Sequence, residues 1–301
     1  MTGIPHPVPP AARLLQRRRL LPRRLLPHGL PASVAACIGF LAAIAFLAVF
    51  ARLLAPYGHE ATDLLHRLRP PFWMDRAIDA HLLGTDKLGR DLLSRLLVAT
   101  QVSMALALLG TLIGAVLGIA LGILAAHRGG WVDELVMMAV DWQAAMPFLI
   151  IALAVLAFLG NDFLLFLALM GLAGWETYAR LTRGLVLAAR EQGYAVAVRS
   201  LGARPGRLYL RHILPNVMGP LIVQLTLNFP QTILLETSLS FLGLGIQPPL
   251  TSLGQMLGEG RDYLLTAWWL AVIPGAVIFL TTLSMSIAGD WLRSRLDPTQ
   301  L

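Results

Sequence analysis

Among the ionisable residues inside long apolar runs or at their ends, Asp141, Glu176, Arg180 and Glu236 are the candidates for chemistry. A charge at membrane depth is costly, so such groups face protein or water and are the default candidates for intramembrane function. Asp141, Glu176 and Arg180 fall toward one end of their runs, where side chains reach the interface. Glu236, in ILLETSLSFLGLG, sits well inside its run, where a structural hydrogen-bonding role competes with substrate contact. Enzyme chemistry finds no support in the spacing. The only lysine is Lys87, in TDKLG, so there is no G-x-x-x-x-G-K-[ST] phosphate loop. His59-Glu60 continues as HEATD without the second histidine of a zinc-protease helix, and no G-x-S-x-G turn occurs. His81, Asp86 and Asp91 are of metal-ligating type, but their basic neighbours fit a solvated face better than a metal site. No catalytic, cofactor or metal residue is expected in this chain.

A second cluster of chemistry-bearing residues is EQGYAVAVRSLGARPGRLYLRHILPN, from Glu191 to Asn216. Tyr194, Ala197, Val198 and Leu201 recur at helical spacing and form one apolar stripe. Gly202 is placed to stop that helix, Pro205 to start a second short one, and the LPN at 214–216 to bend the chain back. Two short helices on a short leash make a rigid knob, which suits either docking into a partner's groove through apolar anchors or a structured loop with no partner, and the spacing alone favours neither.

The elements that must position these residues are built for lipid. Of 301 residues, 56% are hydrophobic and 14% charged, outside the usual range of a soluble domain. A spanning helix needs about 20 apolar residues to cross a core about 30 Å thick. Six runs qualify, near 32–54, 98–126, 135–159, 162–184, 213–243 and 266–290. They do not alternate in polarity as barrel strands do, so the expected fold is all-α, a polytopic membrane protein with six transmembrane helices. The expected organisation is a tail at 1–31, a first span at 32–54 and a loop at 55–97. A five-helix core follows at 98–292, with an inserted loop at 188–212, and then a tail at 293–301. Within the loop, HLLGTDKLGRDLLSRLL (81–97) places Lys87, Arg90, Asp91, Ser94 and Arg95 on one helical face and Leu88, Leu92 and Leu96 on the other. It reads as an interfacial amphipathic helix capped by Thr85 or Asp86. Gly110, Gly114, Gly118 and Gly122 form a small-residue stripe suited to close helix packing. Cys37 stands alone, which excludes an intramolecular disulfide.

The formal charge of +7 is not gathered into a nucleic-acid patch. With a cytoplasmic N-terminus, sixteen of the 24 basic residues fall in cytoplasmic segments, including the seven arginines from Arg180 to Arg211. Seven others, between Arg52 and Arg95, are nearly balanced by six acidic residues from Glu60 to Asp91. This asymmetry favours cytoplasmic N- and C-termini.

The 191–216 segment resembles the cytoplasmic loop signature, the EAA motif, of permease subunits of binding-protein-dependent ABC importers. HLLGTDKLGRDLLSRLL, GGWVDE (129–134), RHILPN, FLGLGIQPP (241–249) and GRDYLLTAWWLAVIPG (260–275) resemble its dipeptide, oligopeptide and nickel branch, in the family's order. The resemblance implies a type I importer fold in a bacterial inner membrane and a loop that docks on an ATP-binding subunit through Glu191, Tyr194, Ala197, Arg199, Gly202, His212, Leu214, Pro215 and Asn216. Val196 departs from the pattern, standing where the family usually has glutamate. It further implies a second permease subunit, two ATP-binding subunits that use ATP and Mg, and an extracytoplasmic solute-binding protein. The carried solute would be a peptide, or alternatively nickel or another small solute. A secondary transporter would show several midplane charges and internal repeats, and neither is present in the sequence.

Overall fold

The computed structural model describes residues 30–296; the arginine-rich part of the expected N-terminal tail and most of the expected C-terminal tail lie outside them. Helix α1 (Ala32–Val49), continued by one turn at Ala51–Leu54, runs into an irregular strap that ends at Asp91. The rest of the chain is α2 (Leu92–Arg128), α3 (Gly130–Ala145), α4 (Phe148–Leu159), α5 (Phe163–Leu172), α6 (Trp175–Arg190), α7 (Gly193–Ser200), α8 (Leu214–Phe241), α9 (Leu253–Gly260) and α10 (Trp269–Leu296). Among the described residues the extended pairing is a single bridge, Thr85 with Asp91.

Helix α2, with 37 residues, is about 55 Å long at 1.5 Å per residue and sets the height of the bundle. It packs along α6, α5 and α8, and α8 packs along α10. The glycine stripe explains the closest of these approaches. A Cβ on Gly110 would lie 2.7 Å from Met170 Cβ, and one on Gly118 would lie 2.3 Å from the Trp175 carbonyl oxygen. On Gly122 it would meet the Ala179 carbonyl oxygen at 2.6 Å. Only glycine lets α2 lie this near α5 and α6. Helix α1, by contrast, buries only Val34, Ile44 and Ala48, and is tied to α2 where Gln101 Nε2 donates to the Ala48 carbonyl at 2.8 Å. Phe46, Val116, Ile150, Phe158 and Phe279 remain exposed on long apolar helices, as a lipid-facing shell requires.

Among the described residues, four helices or helix runs are long and apolar enough to cross a membrane: α1, α2, the run ending in α8, and α10. A fifth crossing is formed if α3 and α4 are taken as one span. The two runs expected as single spans at 135–159 and 162–184 are both divided. Helices α3 and α4 meet at an 88° bend at Met146–Pro147, where Pro147 has no N–H to continue the ladder. Helices α5 and α6 are separated at Ala173 and Gly174, whose φ of +83° is open to glycine and strained for other residues.

The expected amphipathic helix over 81–97 is corrected. Helix α2 begins only at Leu92, and residues 81–91 form a folded turn. Gly84 and Gly89 take φ of +83° and +75°, and side chains there would run into the backbone of Arg69 and Asp63. Asp91 is the N-cap, accepting from Ser94 N at 2.8 Å and Ser94 Oγ at 2.7 Å. The polar face is not solvated: Asp86, Asp91, Ser94 and Arg95 are buried. Elsewhere in the strap, a 2.6 Å contact with His66 Nδ1 holds the Asp63 carboxyl below its usual range.

Candidate functional site

Helix α7 caps the end of the bundle where α2 and α6 finish and α8 begins. Its apolar stripe is split by the structure. Ala195, Tyr194 and Val198 turn inward onto Val186, Ala189, Leu208, Tyr209 and Ile213. Ala197 and Leu201, expected on the same stripe, are exposed, Leu201 at 86%, and so are Glu191, Val196 and Arg199. One face therefore anchors the helix and the other presents a small side chain beside a large apolar one. Gly202 ends the helix at φ +78°, donating to the Arg199 carbonyl at 3.0 Å. Beyond it lies an open groove lined by Val198, Leu201, Gly202, Arg204, Arg207 and His212.

The base beneath α7 is held by polar contacts from α2. Arg190 donates to the Ala126 carbonyl, and His127 Nδ1 lies 3.1 Å from the Tyr209 hydroxyl. The expected second short helix and the bend at 214–216 are corrected. Pro205–Arg207, a wide π turn at Leu208–Ile213 and α8 run on as one 37-residue helix. Pro215 sits in the first turn of α8 behind the wide turn, and Asn216 Nδ2 donates to the His212 carbonyl at 3.0 Å. Leu214, Pro215 and Asn216 therefore join the inserted loop to a bundle helix without a hinge.

Asp141, Glu176 and Arg180 gather on the contact between α3 and α6. Arg180 Nη2 donates to Asp141 Oδ1 at 2.7 Å, with both side chains more than half exposed. Glu176 accepts from Gln143 Nε2 at 3.0 Å, and Gln143 Oε1 accepts from Trp175 Nε1 at 2.6 Å. The sequence reading missed Gln143 and also the Asp133–Arg183 pair, whose Nε–Oδ1 distance is 2.5 Å. A usable signal existed: Asp133 and Asp141 pair with Arg183 and Arg180 in antiparallel order, as adjacent antiparallel helices require. Glu236 stands apart from this group. It is fully buried near the strap end of α8, accepting from Ser240 Oγ at 2.7 Å and Ser103 Oγ at 3.1 Å. Ser103 Oγ in turn accepts from Leu253 N at 3.0 Å, which ties the start of α9 to α2 and α8.

A family model described as "Binding-protein-dependent transport system inner membrane component" matches residues 118–299, which contain α7 and the helices that carry it. The chain belongs to this family. It is a transport permease component of the inner membrane. Its similarity extends beyond that region. It is 41% identical over 261 residues to the di/tripeptide transport system permease protein DppC of Pseudomonas aeruginosa, covering 86% of each chain. It is 36% identical over 276 residues to the glutathione transport system permease protein GsiD of Pectobacterium atrosepticum, covering 92% of this chain and 89% of the relative. Among solved structures, a chain of the MetNI methionine ABC transporter in inward-facing conformations superposes with a TM-score of 0.52 at 20% identity. That match covers 67% of this chain and 96% of the other, and it shows the shared fold of an ABC transporter permease.

Proposed function

We propose that the chain is the permease subunit of an ATP-driven importer that moves small peptides across the inner membrane by alternating access. The observation that carries this reading is the family match combined with relatives whose names specify di/tripeptides and glutathione. In this reading α7 docks in a cleft of a separate ATP-binding subunit, with Ala197 and Leu201 as its outward contacts and Glu191, Arg199 and His212 at their margin. ATP and Mg act in that partner and in a second ATP-binding subunit, and the two face this chain and a sister permease. An extracytoplasmic solute-binding protein delivers the cargo to the strap end, and both termini are cytoplasmic.

The geometry supports force transmission. Tyr194 and Val198 root α7 in the bundle core, and the unbroken run from Pro205 to Phe241 carries a displacement of α7 along about 55 Å of helix. Docking transmits force only if α7 is held differently in the two states of the ATP-binding subunits. The test is hydrolysis and uptake side by side. The purified chain alone is expected to hydrolyse no ATP, whereas the assembled complex hydrolyses faster with peptide-loaded binding protein. Robust hydrolysis by the isolated chain rules out this division of labour.

A further inference from the structure

The strap and α9 come from chain segments more than 160 residues apart, yet they meet over a charged cluster at the end of the bundle opposite α7. Asp86 is its centre. One of its oxygens accepts from the backbone N–H groups of Leu88 at 2.8 Å and Arg90 at 2.9 Å. The other accepts from Arg90 Nε at 2.6 Å and Arg95 Nη1 at 2.5 Å. Arg95, on the first turn of α2, also reaches Glu259 Oε2 of α9 at 3.1 Å through both terminal nitrogens, and its Nη2 lies 3.5 Å from Thr251 Oγ1. Arg90 adds a longer contact to Glu259 at 3.4 Å. The Asp86 and Arg95 side chains are 4% and 3% exposed, so these charges have given up their hydration and depend on one another.

The same short helix is held at its other end and along its sides. Its first N–H reaches α2 through Ser103, which also donates to the buried Glu236. Gly254 lies so close to α8 that a Cβ would be 2.7 Å from the Thr237 carbonyl oxygen, and at Gly260 one would be 2.7 Å from Ala271 N of α10. Helix α9 is thus wedged among α2, α8 and α10, with Glu259 as the contact that ties it to the strap.

We infer that Asp86, Arg95 and Glu259 form a latch of positioning residues that makes the strap, α9 and the adjoining ends of α2, α8 and α10 move as one body during transport. The inference rests on the proposed drive at α7. Without the latch, motion delivered along α8 is absorbed by α9 slipping against the strap, and the mouth at this end does not follow. Arginine suits the role because its planar fork bridges two carboxylates at once.

The experiment uses the complete complex in proteoliposomes, wild type beside Glu259→Gln, with Glu60→Gln as a strap control whose side chain is 59% exposed. Hydrogen exchange of the 253–260 amides reports the latch directly, and uptake of a radiolabelled tripeptide per ATP hydrolysed reports its consequence. In Glu259→Gln the α9 amides are expected to exchange about tenfold faster or more, as loss of the carboxylate charge that Arg95 and Arg90 share predicts. Uptake per ATP falls while hydrolysis continues, and Glu60→Gln changes neither. Unchanged exchange in α9, or faster exchange with uptake per ATP unaltered, overturns the inference. Should Glu259→Gln fail to accumulate, Arg90→Gln removes a guanidinium from the same carboxylates and is read in the same way. Failure of the wild-type complex to couple hydrolysis to uptake refutes the proposed function instead, and the exchange measurement still decides whether the latch exists.

Discussion

Gly202 shows how one residue sets the shape of the proposed docking element. Nothing crowds its Cβ position, so the demand for glycine there comes from the backbone alone, at φ +78°. A β-branched residue in that left-handed region costs about 1–2 kcal/mol, enough to unwind a one-turn connection but not a bundle helix. Gly202→Val is therefore expected to accumulate in the membrane at wild-type level while losing association with the ATP-binding subunits. Ala197→Trp acts on the same surface by bulk, since a groove fitted to a small side chain resists a large one. Val196, 40% exposed on the outer half of α7, has room for a longer side chain, so Val196→Glu is expected to be tolerated. Co-purification of the ATP-binding subunits and uptake at matched permease levels provide the measurement. If Gly202→Val and Ala197→Trp both leave association and uptake intact, α7 is not the docking element.

At the scale of elements, the contact of α2 with α6 is the one on which the bundle depends. The atom facing Gly118 is the Trp175 carbonyl oxygen, which belongs to the backbone and cannot rotate away. Gly118→Val must push the two helices apart, and overpacking of this kind costs about 1–3 kcal/mol or more. Gly184, also helical and on α6, has open space at its Cβ position. Gly184→Ala should instead be neutral or stabilising by up to about 1 kcal/mol, because alanine is the better helix former. Thermal melting of the purified permease in detergent separates the two: a Gly118→Val protein that melts with the wild type would show that the glycine stripe is not a packing seam. The breaks at Pro147 and Gly174 belong to the same scale. They shorten α4 and α5, so the side of the bundle carrying them is made of pieces and the side formed by α2, α8 and α10 of continuous rods.

For the whole molecule, the ends of α2 define two faces about 55 Å apart, one bearing α7 and the other the strap and α9. In the proposed reading the α7 face is the cytoplasmic one, which the arginine count favours because positive charge resists translocation. Single-cysteine labelling in a Cys37→Ala background is expected to find positions near 15, 200 and 297 protected from an impermeant outside reagent and positions near 75 and 255 reactive. Labelling of position 200 from outside would invert the molecule and end the importer reading. The two faces also divide the labour proposed for the chain: force enters where α7 is exposed, and the latch around Arg95 keeps the opposite mouth rigid enough to use it.

The long spans at α1, α2, α8 and α10, the glycine seam of α2 and the Gly202 stop were legible in the sequence because each is a local property, written in apolar run length, spacing of four, or backbone freedom at one residue. The strap was not. Leu88, Leu92 and Leu96 repeat at helical spacing and mimic a helix, but Gly84 and Gly89 take left-handed conformations packed against the backbone of Arg69 and Asp63, which periodicity does not register. The charges of Asp86 and Arg95 were read as solvated for the same reason. Their burial depends on Glu259, 164 residues from Arg95, and only the folded bundle brings that partner within 3.1 Å. The sequence alone determined the long helices at α1, α2, α8 and α10 that are apolar enough to cross a membrane, since lipid selects on composition; the tertiary structure decided where the runs at 135–159 and 162–184 break and which charges could leave water, since that requires a partner at hydrogen-bond distance.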